Sequence, residues 1–262
     1  MKIAVIGGDR RQALLAEKLR DAGHTVAYEA KPAAEGPSLL FLERLTRAEA
    51  VVLPVPVSRD GQTLAGTKWP LPFLYDALPP AVPVFGGALP AELRECRLHR
   101  DYLQDESFVL RNACLTAEGT IRLLYENTER ALADTSFLIL GYGRIGTFLL
   151  RRLVAFGAHV TVAARRAESR AAARLSGAET VSFRGFMPRV DVVINTVPPP
   201  FSPPEMSRGT RFIDLAGLPA ETVPGYIVYT AAPGLPGKYF PESAAEILLS
   251  ATLEYLKGDA AR

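Results

Sequence analysis

Three glycines, Gly141, Gly143 and Gly146, follow the apolar run FLIL and open a helical pattern in FLILGYGRIGTFLLRRL. Each position has a use for a missing side chain. Gly141 permits a tight turn, Gly143 lets the backbone approach a pyrophosphate, and Gly146 lets helix pack on strand. The turn is completed by Tyr142, Arg144 and Ile145, and the amides at the helix start face an anion. An isolated motif of this kind is often a plain strand-to-helix turn. Here strand, helix and second strand come at the spacing of a dinucleotide site. The second strand, HVTVAARR, bears on which dinucleotide. A carboxylate at its end would accept hydrogen bonds from the ribose hydroxyls of NAD. Arg165 and Arg166 stand there instead, and arginine attracts the 2′-phosphate of NADP. NADP is the expected cofactor. NAD is the alternative, because an arginine can also stack on adenine or pair with Glu168.

Ligands of parallel sheets sit outside the carboxyl ends of the strands. In the second half these ends fall at Asn195, Thr196, Val197 and Pro198, at Asp214 and Ala216, and at Pro233 and Gly234. Small residues and backbone groups there suit a flat nicotinamide ring. In the first half, Gly7-Gly8-Asp9 lacks a third glycine and carries an acid, so a compact turn is expected rather than a second nucleotide site. Arg11 next to it either faces a carboxylate or lies on the surface. Ser58 and Arg59 occupy the matching strand end in LPVPVSRDG, and Asn112, Thr116 and Glu118 fall near the expected domain junction. Glu118, beside Gly119 at an expected helix start, is either a favourable first-turn charge or a group that handles a proton. The three histidines, His24, His99 and His159, do not follow the fifth strand of the second half. The histidine-based oxidation of hydroxyacids is therefore missing in its usual form. No zinc-ligand cluster and no serine or cysteine nucleophile signature is present, so no metal is expected.

Strands alternate with helices along the whole chain, which predicts parallel, doubly wound sheets. Strands are expected at KIAVI, HTVAYEA, AVVLPVPV and VPVFGGA, then at FVLR, and helices near 39–47 and 90–97. LTAEGTIRLLYENTERALAD reads as one long helix starting near Thr116. Further strands follow at SFLILG, HVTVAAR, VDVVINTV, TRFIDLA and YIVYT, with TVPPPFSPPEM as a loop. The fold class is α/β: two doubly wound (Rossmann-like) domains with a connecting helix and a cleft between them. Residues 1–113 form the substrate domain, 114–134 the connector, 135–238 the NAD(P)-binding domain, and 239–262 a helix packing back on the connector or first domain. The apolar faces of those two helices suit either a homodimer or core packing. A net charge of +2 over 262 residues gives no pull toward nucleic acid or membrane. Two cysteines, Cys96 and Cys114, make no disulfide framework, which points to a reducing, cytoplasmic setting. The N-terminal apolar run is too short for a signal peptide, and no run approaches a membrane span.

The architecture resembles that of the D-2-hydroxyacid dehydrogenases. In their order, KIAVIGGDRRQ, VVLPVPVSRDG, TAEGTI, LGYGRIG, VINTVP, IDLA and APGLPG resemble the A subunits of dipicolinate synthases from spore-forming bacteria, nearly end to end. TAEGTI and APGLPG are the more specific pieces. The resemblance implies formation of pyridine-2,6-dicarboxylate during sporulation, in the mother cell. The implied substrate is the dihydrodipicolinate synthase product, a hydroxylated tetrahydropyridine dicarboxylate of the lysine pathway. Loss of water and NAD(P)-linked dehydrogenation would follow. It also implies a flavoprotein-like partner, the dipicolinate synthase B subunit. A dicarboxylate needs arginines or helix amides, for which Arg11, Arg59 and the amides near Ser58 and Thr116 are the candidates. Glu118 is the candidate proton acceptor. The rival readings are a non-catalytic NAD(P)-binding regulatory subunit and a different dehydrogenase of the hydroxyacid type.

Overall fold

The computed structural model describes residues 1–30, 37–96, 98–185 and 187–259. Arg97, at the end of an expected helix, and residues 260–262 of the terminal helix lie outside them. In chain order the elements are β1 (Lys2–Ile6), α1 (Arg10–Asp21), β2 (Thr25–Glu29), α2 (Leu39–Thr46), β3 (Ala50–Val52), α3 (Leu71–Ala77), β4 (Val84–Gly86), α4 (Ala91–Cys96) and β5 (His99–Asp101). Then come α5 (Glu106–Asn127), β6 (Ser136–Leu140), α6 (Arg144–Ala155), β7 (His159–Ala163), α7 (Ala167–Leu175), β8 (Glu179–Val181), β9 (Val192–Asn195), β10 (Arg211–Asp214), β11 (Val228–Ala231), α8 (Leu235–Tyr239) and α9 (Pro241–Asp259). The chain divides into two compact units, Met1–Asn112 with Phe240–Arg262, and Ala113–Tyr239.

The first unit holds a parallel sheet of order β2-β1-β3-β4-β5. Its central strands are buried on both faces, which is why KIAVI and AVV read as unbroken apolar runs. Phe41, Leu45, Leu64, Trp69 and Leu74 join one core cluster with Val51 and Val84. α9 lies along α1, where Lys18 reaches Glu246 at 2.5 Å and Glu242 at 3.4 Å. Two expectations fail here. The fifth strand is His99–Asp101, a half-buried polar edge with no apolar pattern to reveal it. FVLR is not a strand but the start of α5. Asp105 caps that helix, accepting from the backbone N–H groups of Ser107 (2.9 Å) and Phe108 (3.2 Å). Phe108 then stacks on Tyr102, with ring centroids 5.2 Å apart. The helix therefore starts at Glu106, and Thr116 and Glu118 lie in its interior rather than at its mouth.

The second unit holds a parallel sheet of order β11-β10-β9-β6-β7-β8, the 3-2-1-4-5-6 winding of dinucleotide-binding domains read from the other edge. The short β8 escapes the sequence reading, whereas the proline-rich stretch after Asn195 is irregular as expected. Within this unit Gly119 of TAEGTI faces Leu235 of APGLPG. A Cβ on Gly119 would come within 2.9 Å of the Leu235 Cβ, so the two more specific motifs meet as a close packing of α5 on α8.

Candidate functional site

In each sheet the winding reverses once, between β1 and β3 in the first and between β6 and β9 in the second. These are the places where an open α/β sheet opens a crevice for a ligand. The turn after β6 has the geometry its glycines predict. Gly141 has φ +97°, and a Cβ there would lie 2.5 Å from the Thr196 Oγ1. A Cβ on Gly146 would lie 2.4 Å from the Gly141 carbonyl oxygen. At Gly143 nothing stands within 4 Å, so this side of the turn is open. Gly143 is the N-cap of α6 and no side chain caps the helix. Helix amides without a side-chain cap can face an anionic ligand. These features fit a dinucleotide: a glycine cradle, a helix start without a side-chain cap and room at the position of closest approach.

Arg165 and Arg166 follow β7 directly and are exposed. Neither has an ion pair or a side-chain hydrogen bond among the described residues, so the pairing of either with Glu168 is not formed. A residue that the sequence reading missed shapes their turn. The Arg170 Nη1 donates to the carbonyls of Ala164 (2.8 Å) and Arg165 (2.7 Å). No local pattern announces that contact.

Other expected cofactor residues serve the protein first. The Asn195 Nδ2 donates to the Asp214 Oδ1 at 2.7 Å and to the Val197 carbonyl at 3.1 Å, while its Oδ1 accepts from the Val197 N–H at 3.0 Å. Asp214 also accepts from the backbone N–H groups of Ala216, Gly217 and Leu218. Both side chains are buried, and they organise the ends of β9 and β10 from within. Thr196 donates to the Leu140 carbonyl at 2.8 Å. Pro198, Pro233 and Gly234 are exposed, and Ala216 and Val197 half-buried, at the carboxyl side of the sheet. Tyr142 lies 3.3 Å from the Ser176 hydroxyl.

The first unit treats its own glycine turn differently. Asp9 caps α1, accepting from the Arg11 N–H at 3.0 Å, and the Gln12 Oε1 accepts from the Asp9 N–H at 3.3 Å. The Gly8 N–H, which a phosphate would use, donates to the Ala65 carbonyl at 2.6 Å. A helix start carrying its own carboxylate and a filled amide repels a phosphate. Arg11 is 7% exposed, and its Nε and Nη2 both donate to the Asp9 carboxylate at 2.8 Å. Burial works against the charged carboxylate, but the Arg11 hydrogen bond and charge outweigh it and hold Asp9 below its ordinary range, with help from Arg59.

Ser58 departs from expectation. Its hydroxyl donates to Asp60 at 2.9 Å and accepts from the Gly61 N–H, and Asp60 takes the Gln62 and Thr63 amides. The Gly61, Gln62 and Thr63 amides are consumed by the loop itself. Those near Thr116 are consumed too, because Thr116 is buried inside α5. Asn112 lies one turn earlier on the same helix, half-buried. Glu118 is exposed and 3.8 Å from the Arg152 guanidinium. Of the substrate candidates, Arg11 and Arg59 line one cavity of the first unit. Among the described residues no group of three metal-ligating side chains is assembled, and no helix is long and apolar enough to cross a membrane.

Known proteins match both units. Residues 2–101 match the family of the N-terminal domain of the dipicolinate synthase A subunit. Residues 113–203 match the D-isomer specific 2-hydroxyacid dehydrogenase, NAD binding domain. The dipicolinate synthase A subunit of Bacillus subtilis (strain 168) is 29% identical over 95% of this chain and 93% of its own length. The crystal structure of dipicolinate synthase, A chain, from Bacillus subtilis aligns with TM-score 0.76 and 24% identity, over 100% of this chain and 97% of that one. The crystal structure of the corresponding dipicolinate synthase polypeptide from Bacillus halodurans gives TM-score 0.76 and 24% identity, over 97% of each chain. The second unit is thus a dehydrogenase-type NAD-binding domain.

Proposed function

Because this chain is a relative of the dipicolinate synthase A subunit along nearly its whole length, we propose that it is the NADP-linked dehydrogenase component that forms pyridine-2,6-dicarboxylate. The observation that carries the cofactor reading is the contrast between the two helix starts. α1 is sealed by Asp9 and Ala65, whereas α6 has no side-chain cap behind an open Gly143, and the two arginines after β7 make no ion pair among the described residues. Gly143 and the first amides of α6 would hold the pyrophosphate. Arg165 and Arg166 would take the 2′-phosphate, with Arg170 holding their turn. The residues Thr196–Pro198, Pro233 and Gly234 would border the nicotinamide.

When bound, the cofactor supplies an acceptor for one hydride. The substrate is a hydroxylated tetrahydropyridine dicarboxylate. Loss of water gives a dihydropyridine dicarboxylate, and removal of one hydride and one proton gives the aromatic ring. Because aromatisation drives the oxidation, the step needs less help from a dedicated histidine base. Glu118, exposed on α5, is the candidate to take the proton. In this reading the chain works with the flavoprotein-like B subunit, in the mother cell during sporulation.

The test is the purified chain with freshly generated dihydrodipicolinate synthase product, given NADP⁺ or NAD⁺, with reduced nicotinamide and dipicolinate followed together. Both products, formed faster with NADP⁺, are expected. If both form at wild-type rate in Glu118→Gln, the role of Glu118 is wrong. If neither forms even when the flavoprotein-like partner is added, the dehydrogenase reading fails.

A further inference from the structure

The crevice where the first sheet reverses is not empty space left by a vestigial nucleotide site. A cavity of about 210 Å³ lies there, at the carboxyl ends of β1 and β3, and Asp9, Arg11, Val55, Pro56, Arg59 and Ala65 are among its walls. It is smaller than the roughly 300–1,000 Å³ of sites that enclose a whole drug-sized ligand. It can take one end of a small molecule.

The cationic side chains in it are unequal. Arg11 is buried, and its orientation is fixed by the paired hydrogen bonds from Nε and Nη2 to Asp9 and by a third from Nη2 to the Val55 carbonyl at 3.2 Å. Its Nη1 has no protein partner among the described residues. Nη1 is not among the buried unsatisfied atoms, so it stays open at the cavity wall, where it can donate to an anion. Arg59 is exposed and makes no hydrogen bond or ion pair among the described residues. Its loop is held by Asp60, which accepts from Ser58, Gln62 and Thr63. One aspartate and two arginines leave one positive charge at the cavity. Prolines, Val55 and Ala65 supply apolar walls on which a ring face can lie.

We infer that this cavity binds one carboxylate of a rigid, ring-bearing carboxylic acid, with Arg11 Nη1 and Arg59 as the binding groups and Asp9 as the residue that positions Arg11. The identity of that acid as a pyridine dicarboxylate rests on the proposed function; the carboxylate site does not. Asp9 serves twice, since the carboxylate that seals α1 against phosphate is also the one that aims the guanidinium.

The experiment is calorimetric titration of the full chain, with and without NADP⁺, by pyridine-2,6-dicarboxylate and separately by 2-hydroxyglutarate. Wild type, Arg59→Ala and Arg11→Lys are compared, with melting temperature and NADP⁺ affinity measured for each. Arg59 is exposed, so Arg59→Ala should melt as wild type and bind NADP⁺ as wild type, yet bind the pyridine dicarboxylate at least about tenfold more weakly. Its binding should also be less sensitive to salt. Arg11→Lys should weaken binding too, since lysine cannot hold Asp9 and the ligand in a fixed fork. If wild type binds the dicarboxylate and both variants bind it equally well, the cavity is not the site and the dehydrogenase reading is untouched. If wild type binds only 2-hydroxyglutarate, and Arg59→Ala abolishes that, the cavity is a carboxylate site but its preference for a ring-bearing acid is overturned, and the dipicolinate reading falls with it. Binding of neither acid overturns the inference.

Discussion

Alanine at Gly143 and alanine at Gly146 should damage the protein in opposite ways. At Gly143 the backbone has φ −95°, which alanine adopts freely, and its Cβ would meet no atom within 4 Å. Folding should change only by the weaker N-cap preference of alanine, a few tenths to about 1 kcal/mol. The added methyl group nonetheless stands on the open side of the turn, where the proposed pyrophosphate would approach the amides. Hydrogen bonds to a charged acceptor are worth about 1.5–3 kcal/mol each. Losing one lowers affinity about 10- to 100-fold. At Gly146 the Cβ would lie 2.4 Å from a backbone oxygen of Gly141, so helix and strand must separate. Overpacking of that kind costs about 1–3 kcal/mol of stability, and binding falls with it. Urea melts without nucleotide and calorimetry with NADP⁺ separate the two effects. If Gly143→Ala binds NADP⁺ as wild type, the pyrophosphate does not rest on α6. If Gly146→Ala is as stable as wild type, the close helix–strand packing is not real.

Replacing Arg165 and Arg166 together by alanine should weaken NADP⁺ about 10- to 100-fold and leave NAD⁺ within about twofold, because only the 2′-phosphate is lost as a partner; equal weakening of both would refute the assignment. Asp214→Ala strands the buried donors of Asn195 and Leu218 and frees the Gly217 amide. About 3 kcal/mol is expected to go, a fall of about 6–12 °C in melting temperature, and an unchanged Tm would show that the network is dispensable. Asp191 is held below its ordinary value near 3.8 by hydrogen bonds from the Ser136 hydroxyl and amide, against the effect of burial, with Arg130 adding to it. A lowered carboxylate contributes stability that is complete above its unfolded value and is lost as pH falls through its folded value. Urea melts at pH 6 and pH 3.5 should therefore show a smaller loss for Asp191→Asn than for wild type; an identical loss would exclude the contribution. Gly66 has φ +79°, and a Cβ there would fall 1.9 Å from the Gly8 carbonyl oxygen. Gly66→Ala should consequently lower the stability of the first unit and loosen carboxylate binding, both visible in one set of melts with and without pyridine-2,6-dicarboxylate.

Local order settles part of what the chain is. The apolar runs KIAVI, SFLIL and HVTVA are strands because parallel strands are buried on both faces, and the glycines after Leu140 make a tight strand-to-helix turn because backbone conformation and close packing there need them. The arginines after β7 are likewise visible in the sequence. The compact turn at Gly7-Gly8-Asp9 was legible too, but the capping of α1 by Asp9 with Gln12, and its meaning for Arg11, came only with the structure. Other features depend on partners distant in sequence. The Ala65 carbonyl, in a loop distant in sequence, accepts from the Gly8 N–H, and Val55 completes the orientation of Arg11. Asp105 and the packing of Phe108 on Tyr102 decide that FVLR is helix, overriding its β-branched and aromatic preference. Asn195 and Asp214, nineteen residues apart, satisfy each other only when β9 and β10 are side by side. Sequence alone determined where strands, turns and charges occur along the chain, since those follow from periodicity and backbone freedom. Tertiary structure decided which polar groups are already used and which are left for a ligand, because hydrogen bonds are allotted only once distant strand ends share a crevice.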